Sequence, residues 1–251
     1  MVRPSISVII ISRDEEHDIA ECLSSVAWAD EVIVVDAQSS DRTADIAREH
    51  TPHVHVVPWK GFGPQKNHAL DLATGDWVLS LDCDERVTDR LQEELIKACD
   101  DPAFDAWLIP FRTSYCGQFM RFGDWSMERK LRLFRNDVGR FSDVPVHEKI
   151  NVEGSIGRLS EPILHYSVPT HEELMDKVRK YADLGARLAY DSGRRTTSTA
   201  AACRGAWTFF RGYMLRCGFL DGIRGFKLAR ALAYGTWLKH VTLARMSGES
   251  T

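Results

Sequence analysis

Residues 75–85 read Gly-Asp-Trp-Val-Leu-Ser-Leu-Asp-Cys-Asp-Glu, and their reading decides the fold. Trp77 to Leu81 is a mostly apolar run that predicts a buried strand, and it runs straight into the acidic residues Asp82, Asp84 and Glu85. The upstream sequence repeats this plan. Ser7 to Ile11 is an apolar, β-branched run, Glu31 to Val35 a second ending at Asp36, and His53 to Val57 a third strand candidate. Between them Ile19, Cys22, Leu23 and Val26 fall at helical spacing. Ser40 or Asp41 is placed to cap a helix through Ala47, and Pro64 to Ala73 reads as a helix closed by Gly75. Strands alternating with helical segments predict βαβ units, an α/β fold with a mostly parallel sheet flanked by helices.

In such sheets ligands bind beyond the carboxyl ends of the strands. Three of the four predicted strand ends carry polar side chains: Ser12-Arg13-Asp14-Glu15, Asp36, and Asp82 with Asp84. These positions are expected to converge on one crevice.

Downstream the pattern changes. A helix is expected over Thr88 to Ala98, and Lys130 to Arg135 reads as a half-exposed strand with Leu131, Leu133 and Arg135 on one face. Phe141 to Ile150 and Ile163 to Tyr166 are further strand candidates. Thr170-His171-Glu172-Glu173 is a capping box, opening a helix with Leu174, Val178, Tyr181 and Leu188 on one side. Residues 191–199 are polar and read as a linker. Two regions are therefore expected: a catalytic domain over 1–190 and a basic, amphipathic helical region over 191–251.

The chain has 251 residues with a formal net charge of −4, and hydrophobic residues make up 44%. That composition excludes disorder and offers no overall basic field for nucleic acid. The average conceals an asymmetry. Residues 200–251 carry eight Lys/Arg against Asp221 and Glu249, a net of +6, so the preceding part carries −10. Aromatic residues interleave with those cations, which suits helices lying on an anionic membrane surface. No uncharged stretch is long enough for a spanning helix, and Arg3 and Pro4 leading into a short apolar run give no secretory leader. Six dispersed cysteines without a CxxC pair suggest reduced thiols in a cytoplasmic setting.

The chemistry concentrates in Asp82-Cys83-Asp84. In extended backbone residues i and i+2 point the same way, so two carboxylates would face one side and could hold Mg²⁺ or Mn²⁺. Asp36 at a strand end can accept hydrogen bonds from a nucleoside. Lys66, near the start of its helix, can meet a phosphate together with the helix dipole. His147-Glu148 offers a carboxylate to take a proton from an attacking hydroxyl, with Asp124 and Asp143 as rivals, and His147 or His165 can supply a metal ligand. Neither a P-loop nor a dinucleotide fingerprint is present, because Gly61-Phe62-Gly63 lacks the third glycine.

Taken in order, Ser7 to Ser25, Glu31 to Thr43, Lys66-Asn67, Gly75 to Glu85, Arg129 to Arg135, Val146-His147-Glu148 and Gly218 to Phe226 resemble family-2 glycosyltransferases of the GT-A fold. The resemblance is closest to bacterial β-glucosyltransferases of lipopolysaccharide core assembly. It implies an inverting, metal-dependent transfer of a hexose, expected to be glucose, from a UDP-sugar to a lipid-linked glycan by an enzyme peripheral on the inner face of the plasma membrane. It further implies that Ser12, Glu15, Asp36 and Lys66 contact the donor and that Asp82 lies near ribose and metal. Asp84 would ligate the ion, with His147 as a further metal ligand, and Glu148 would be the base. The usual Asn-Glu-Glu after the first strand is Asp14-Glu15-Glu16 here. A polyprenyl-phosphate sugar synthase and a sugar-1-phosphate nucleotidyltransferase are the alternative activities, and a nucleotide-sensing membrane adaptor is the non-enzymatic one.

Overall fold

The computed structural model describes residues 3–142 and 150–248. The chain forms two compact units, one of residues 1–111 with 129–165, the other of residues 112–128 with 166–251.

The first unit begins with the expected alternation: β1 (Ile6–Ser12), α1 (Ile19–Ser25), β2 (Glu31–Asp36), α2 (Thr43–His50), β3 (His53–Val56), α3 (Phe62–Leu72) and β4 (Trp77–Asp82). Strands β1 to β4 pair in parallel in the order β3-β2-β1-β4. The apolar runs have a direct cause: both faces of this sheet are covered. Val8 and Ile10 pack with Ile19, Leu23 and Ala47 on one face, while Ile9, Ile33 and Val35 meet Ala69 and Leu70 of α3 on the other. Each such side chain contributes about 1.5–3 kcal/mol by burial.

After the short β5 (Glu85–Arg86) comes α4 (Asp89–Cys99), capped by the Thr88 hydroxyl, which accepts from the Leu91 amide. The sheet continues with β6 (Ala106–Tyr115), β7 (Gln118–Phe119), β8 (Arg129–Arg135), β9 (Gly139–Phe141), β10 (Ile150–Val152), β11 (Ile156–Arg158) and β12 (Ile163–Val168). Beyond β4 the order is β8-β6-β12-β5, and β8 runs antiparallel to both β4 and β6. The parallel arrangement thus holds for the amino-terminal half and gives way to mostly antiparallel pairing, with β11 lying parallel to β6. Strand β8 is not half-exposed: lying between β4 and β6, it buries Arg132, Leu133 and Phe134 in succession. Most of the expected strand over 141–150 lies outside the described residues; its ends, Phe141 and Ile150, belong to β9 and β10, which pair antiparallel.

The second unit is mostly helical: α5 (His171–Asp191), α6 (Ser198–Phe210) and α7 (Gly222–Met246), with a π-helical turn at Arg211–Leu215 and a 3₁₀ turn at Gly218–Asp221. The predicted capping box is formed, since Thr170 Oγ1 accepts from the Glu173 amide. The face that α5 buries differs from the expected one. Leu174, Ala182, Ala186 and Ala189 are buried, while Tyr181 and Leu188 are exposed, because small residues allow close packing between helices. The polar linker is the connection between α5 and α6, ending at Thr197, whose hydroxyl accepts from the Ala200 amide. Among the described residues no helix is long and apolar enough to cross a membrane.

The run Gly218 to Phe226 folds back on itself tightly. Gly222 adopts φ +64°, and the Asp221 carboxylate accepts from the backbone amides of Arg121 and Phe122. A Cβ on Gly225 would lie 1.9 Å from the Gly218 carbonyl oxygen, a backbone atom that cannot rotate aside. Gly225→Ala is therefore expected to lower stability by about 1–3 kcal/mol in urea denaturation. An unchanged midpoint would show that this approach is not a constraint.

Candidate active site

Strand register assembles the site. Ser12 lies opposite Asp36, and Ile11 opposite Asp82, so the last residues of β1, β2 and β4 stand side by side at the carboxyl edge of the sheet. Asp36 is completely buried. Its carboxylate accepts from the Ser12 hydroxyl at 3.0 Å and from the Ser39 amide at 2.8 Å, with the Ser39 hydroxyl as a third donor. Three of about four acceptor positions are filled from within, so Asp36 and Ser12 act first on the shape of the crevice floor.

The loop after β1 is stitched to the loop after β2. Asp14 sits at φ +54°, a conformation that Asn and Asp tolerate better than other residues. Its carboxylate accepts from the amide and hydroxyl of Ser40, which hold it below the usual range. The Glu15 amide donates to Thr43 Oγ1 at 2.7 Å, and the Glu16 amide to Asp41. An Asp at position 14 thus serves as an acceptor in this turn.

Asp82 has one cation on each carboxylate oxygen: Lys66 Nζ at 3.0 Å and Arg132 Nη2 at 2.7 Å. Burial opposes its ionisation, but Arg132 and Lys66 outweigh it and keep the carboxyl well below the usual range. Arg132 also pairs with Glu85, which is wholly buried and accepts from the Asp82 amide. Lys66 lies in the second turn of α3, because that helix starts at Phe62 rather than at Pro64. It is 4% exposed, a buried ion-pair partner rather than a surface cation.

The acidic pair does not behave as extended backbone would require. The strand ends at Asp82 and residues 83–84 form a turn, so the two aspartates are engaged separately. Asp84 Oδ2 lies 3.1 Å from His165 Nε2, and β12 brings His165 opposite Glu85. Asp84, Glu85 and His165 each offer a ligand atom, all within 4.8 Å of one another. Two carboxylates and an imidazole match the donor preferences of Mn²⁺, and the carboxylates also suit Mg²⁺. Cys83 turns away, its thiol against the Ile11 carbonyl, and burial pushes that thiol well up and makes it inert.

Of the residues expected from the sequence, Ser12, Glu15, Asp36, Lys66, Asp82 and Asp84 belong to this one unit. Glu148, Asp143 and His147 lie outside the described residues. Asp124 belongs to the second unit, where Arg211 and Arg216 both bind its carboxylate, at 2.9 and 2.6 Å. Sequence reasoning gave Arg132 and Glu85 no role of their own, although both lie in stretches it singled out, Gly75 to Glu85 and Arg129 to Arg135. It held His165 only as one of two candidate ligands.

Residues 7–149 match the profile of glycosyl transferase family 2. The chain is 28% identical to the lipopolysaccharide core biosynthesis glycosyltransferase LpsC of Rhizobium meliloti, over 96% of this chain and 94% of that protein. It is also 28% identical to an uncharacterized glycosyltransferase of Rickettsia typhi, over 98% of this chain and 88% of that one. Among solved structures, S. aureus TarS 1-349 in complex with UDP aligns with a TM-score of 0.49 at 17% identity, covering 98% of this chain and 92% of that one.

Glu15 gives the site a measurable pH signature. Partial burial, then repulsion from Asp84, Asp18, Asp41 and Asp82, raises its carboxyl from near 4.5 to about 7. The folded state therefore holds a proton that the unfolded chain releases, and stability falls as pH rises from about 4.5 to 7. Glu15→Gln is expected to have a higher Tm than the parent at pH 8, a gap that narrows as the pH falls and closes below about 4.5. Thermal melts with equal differences at pH 8 and pH 5 would contradict this.

Proposed function

Given that the chain belongs to glycosyl transferase family 2, we propose that it catalyses an inverting, metal-dependent transfer of a hexose, with glucose the expected sugar. The donor is a UDP-sugar and the acceptor a hydroxyl of a lipid-linked glycan such as lipopolysaccharide core. Family membership sets aside the nucleotidyltransferase alternative. The observation that carries the reading is the separation of charges at the sheet edge. Lys66 and Arg132 are engaged by Asp82, and Arg132 by Glu85 as well, while Asp84 stands with His165 and Glu85 as the group that would hold Mg²⁺ or Mn²⁺. Bound there, the ion supplies counter-charge to the departing diphosphate.

In this reading Ser12, Glu15, Asp36, Lys66 and Asp82 form the nucleotide-sugar side, with Asp82 held ionised and oriented for the ribose. The acceptor oxygen bonds to the anomeric carbon from the face opposite the leaving group. Its proton passes to Glu148, and the bond to the diphosphate breaks with the electron pair leaving on the diphosphate. Inversion follows from that single displacement. His147, beside the base, remains a proposed additional ligand. Similarity to LpsC supports the lipid-linked acceptor. The cations of the carboxy-terminal region support docking on the anionic inner face of the membrane.

Calorimetry with a panel of nucleoside diphosphates and their sugars, with and without Mn²⁺, tests the donor site. The parent should bind UDP or a UDP-sugar only with metal, and Asp84→Ala should abolish that metal dependence. Metal-independent binding of equal strength in both would overturn the ion assignment. Glu148→Gln should cut turnover by about 10²–10⁴-fold while leaving nucleotide binding intact. The base would be Asp143 instead if Asp143→Asn showed that loss and Glu148→Gln stayed active.

A further inference from the structure

The second unit presents an apolar corner to solvent. Trp207, Phe210 and Met214 recur at i, i+3 and i+7 along the end of α6 and the π-helical turn, so they share one face. Leu215 and Leu220 flank the following bend and Ile223 stands in the first turn of α7, at 57%, 57% and 66% exposure. This is not a core left unfinished. The inward rings of Phe209, Tyr213 and Phe226 pack on one another behind the corner, with centroids 5.3 to 5.9 Å apart. A contiguous exposed apolar patch of this kind marks an interaction surface.

Its charges indicate what covers it. Over residues 198–248 the only acid is Asp221, which is buried and occupied by the Arg121 and Phe122 amides. No carboxylate of this segment therefore faces outward. Lys227 and Arg230 are exposed and lie at i+4 and i+7 from Ile223, on the same helical face. Arg211 and Arg216 are bound to Asp124 instead, and Arg224 donates to Gln118. Part of the +6 read from the sequence is thus committed inside the unit, and charge alone makes a weaker anchor than it first suggests. Large apolar and aromatic side chains rimmed by cations, without exposed acids, fit the acyl–headgroup boundary of an anionic bilayer.

We propose that the corner formed by residues 207–223 inserts into that boundary, with Lys227 and Arg230 on lipid phosphates. The inference rests on the peripheral docking proposed above and assigns the anchoring to apolar insertion rather than to net charge.

Flotation with phosphatidylcholine vesicles, with and without phosphatidylglycerol, tests it on the full chain. The triple variant Leu215→Ser, Leu220→Ser, Ile223→Ser replaces solvent-facing groups and should keep the parent's Tm and its nucleotide binding. It is expected to lower partitioning by about tenfold or more, whereas Lys227→Glu with Arg230→Glu should lower it less and only on anionic vesicles. Brominated lipids should quench parental fluorescence, and less so in Trp207→Phe. Binding that survives the triple variant but is lost in the charge variant would overturn insertion and leave peripheral docking standing. No binding of the parent to any vesicle would overturn both. If the triple variant instead turns a dimer into a monomer by light scattering without changing vesicle binding, the corner covers a second copy and the proposal fails.

Discussion

A buried guanidinium ties together the carboxyl edge of this sheet. Arg132 projects from β8, the first antiparallel strand, onto two carboxylates from β4 and β5. Glu85 has no access to water, so without Arg132 its carboxyl would be driven further up and would hold a proton at neutral pH. Burial drives the Glu85 carboxyl up and Arg132 pulls it back, leaving it at about 7. Asp82, with a cation on each oxygen, stays ionised throughout. One side chain from the antiparallel half thereby lowers two carboxyls, Asp82 and Glu85, at the end of the parallel half.

The parallel half was legible because its signals are local. An apolar run on β1, β2 or β4 means burial on both faces whatever the partner, and a polar residue ending such a run lands at the carboxyl edge. Ser12, Asp36 and Asp82 could therefore be gathered into one crevice from sequence. Arg132 and Glu85 were not legible for the opposite reason. The basic and apolar alternation of Lys130 to Arg135 reads as half-exposed unless one knows that β6 will cover the other edge, a pairing set by contacts distant in sequence. His165 reaches Asp84 across 81 positions, and nothing local distinguishes it from His147.

The acidic pair shows how a correct motif can mislead in detail. Period-two alternation applies while the backbone stays extended, and here the chain turns one residue after Asp82. The carboxy-terminal region gives a similar lesson in charge. Counting cations finds the basic surplus, yet a count cannot see that Asp124 takes up two of them, nor that α5 buries alanines and leaves Tyr181 and Leu188 in water.

The site's electrostatics lean in one direction. Its two buried cations, Lys66 and Arg132, are both consumed by Asp82 and Glu85, and Arg86 is drawn away to Asp18 and Glu21. Partial burial, and then the charge of Asp84 with its near neighbour His165, push the Glu15 carboxyl up to about 7. A carboxylate cluster with few cations to spare is where the divalent ion proposed above would gain most in binding. On the proposed function, the surplus of negative charge is part of the binding chemistry rather than a defect of the fold.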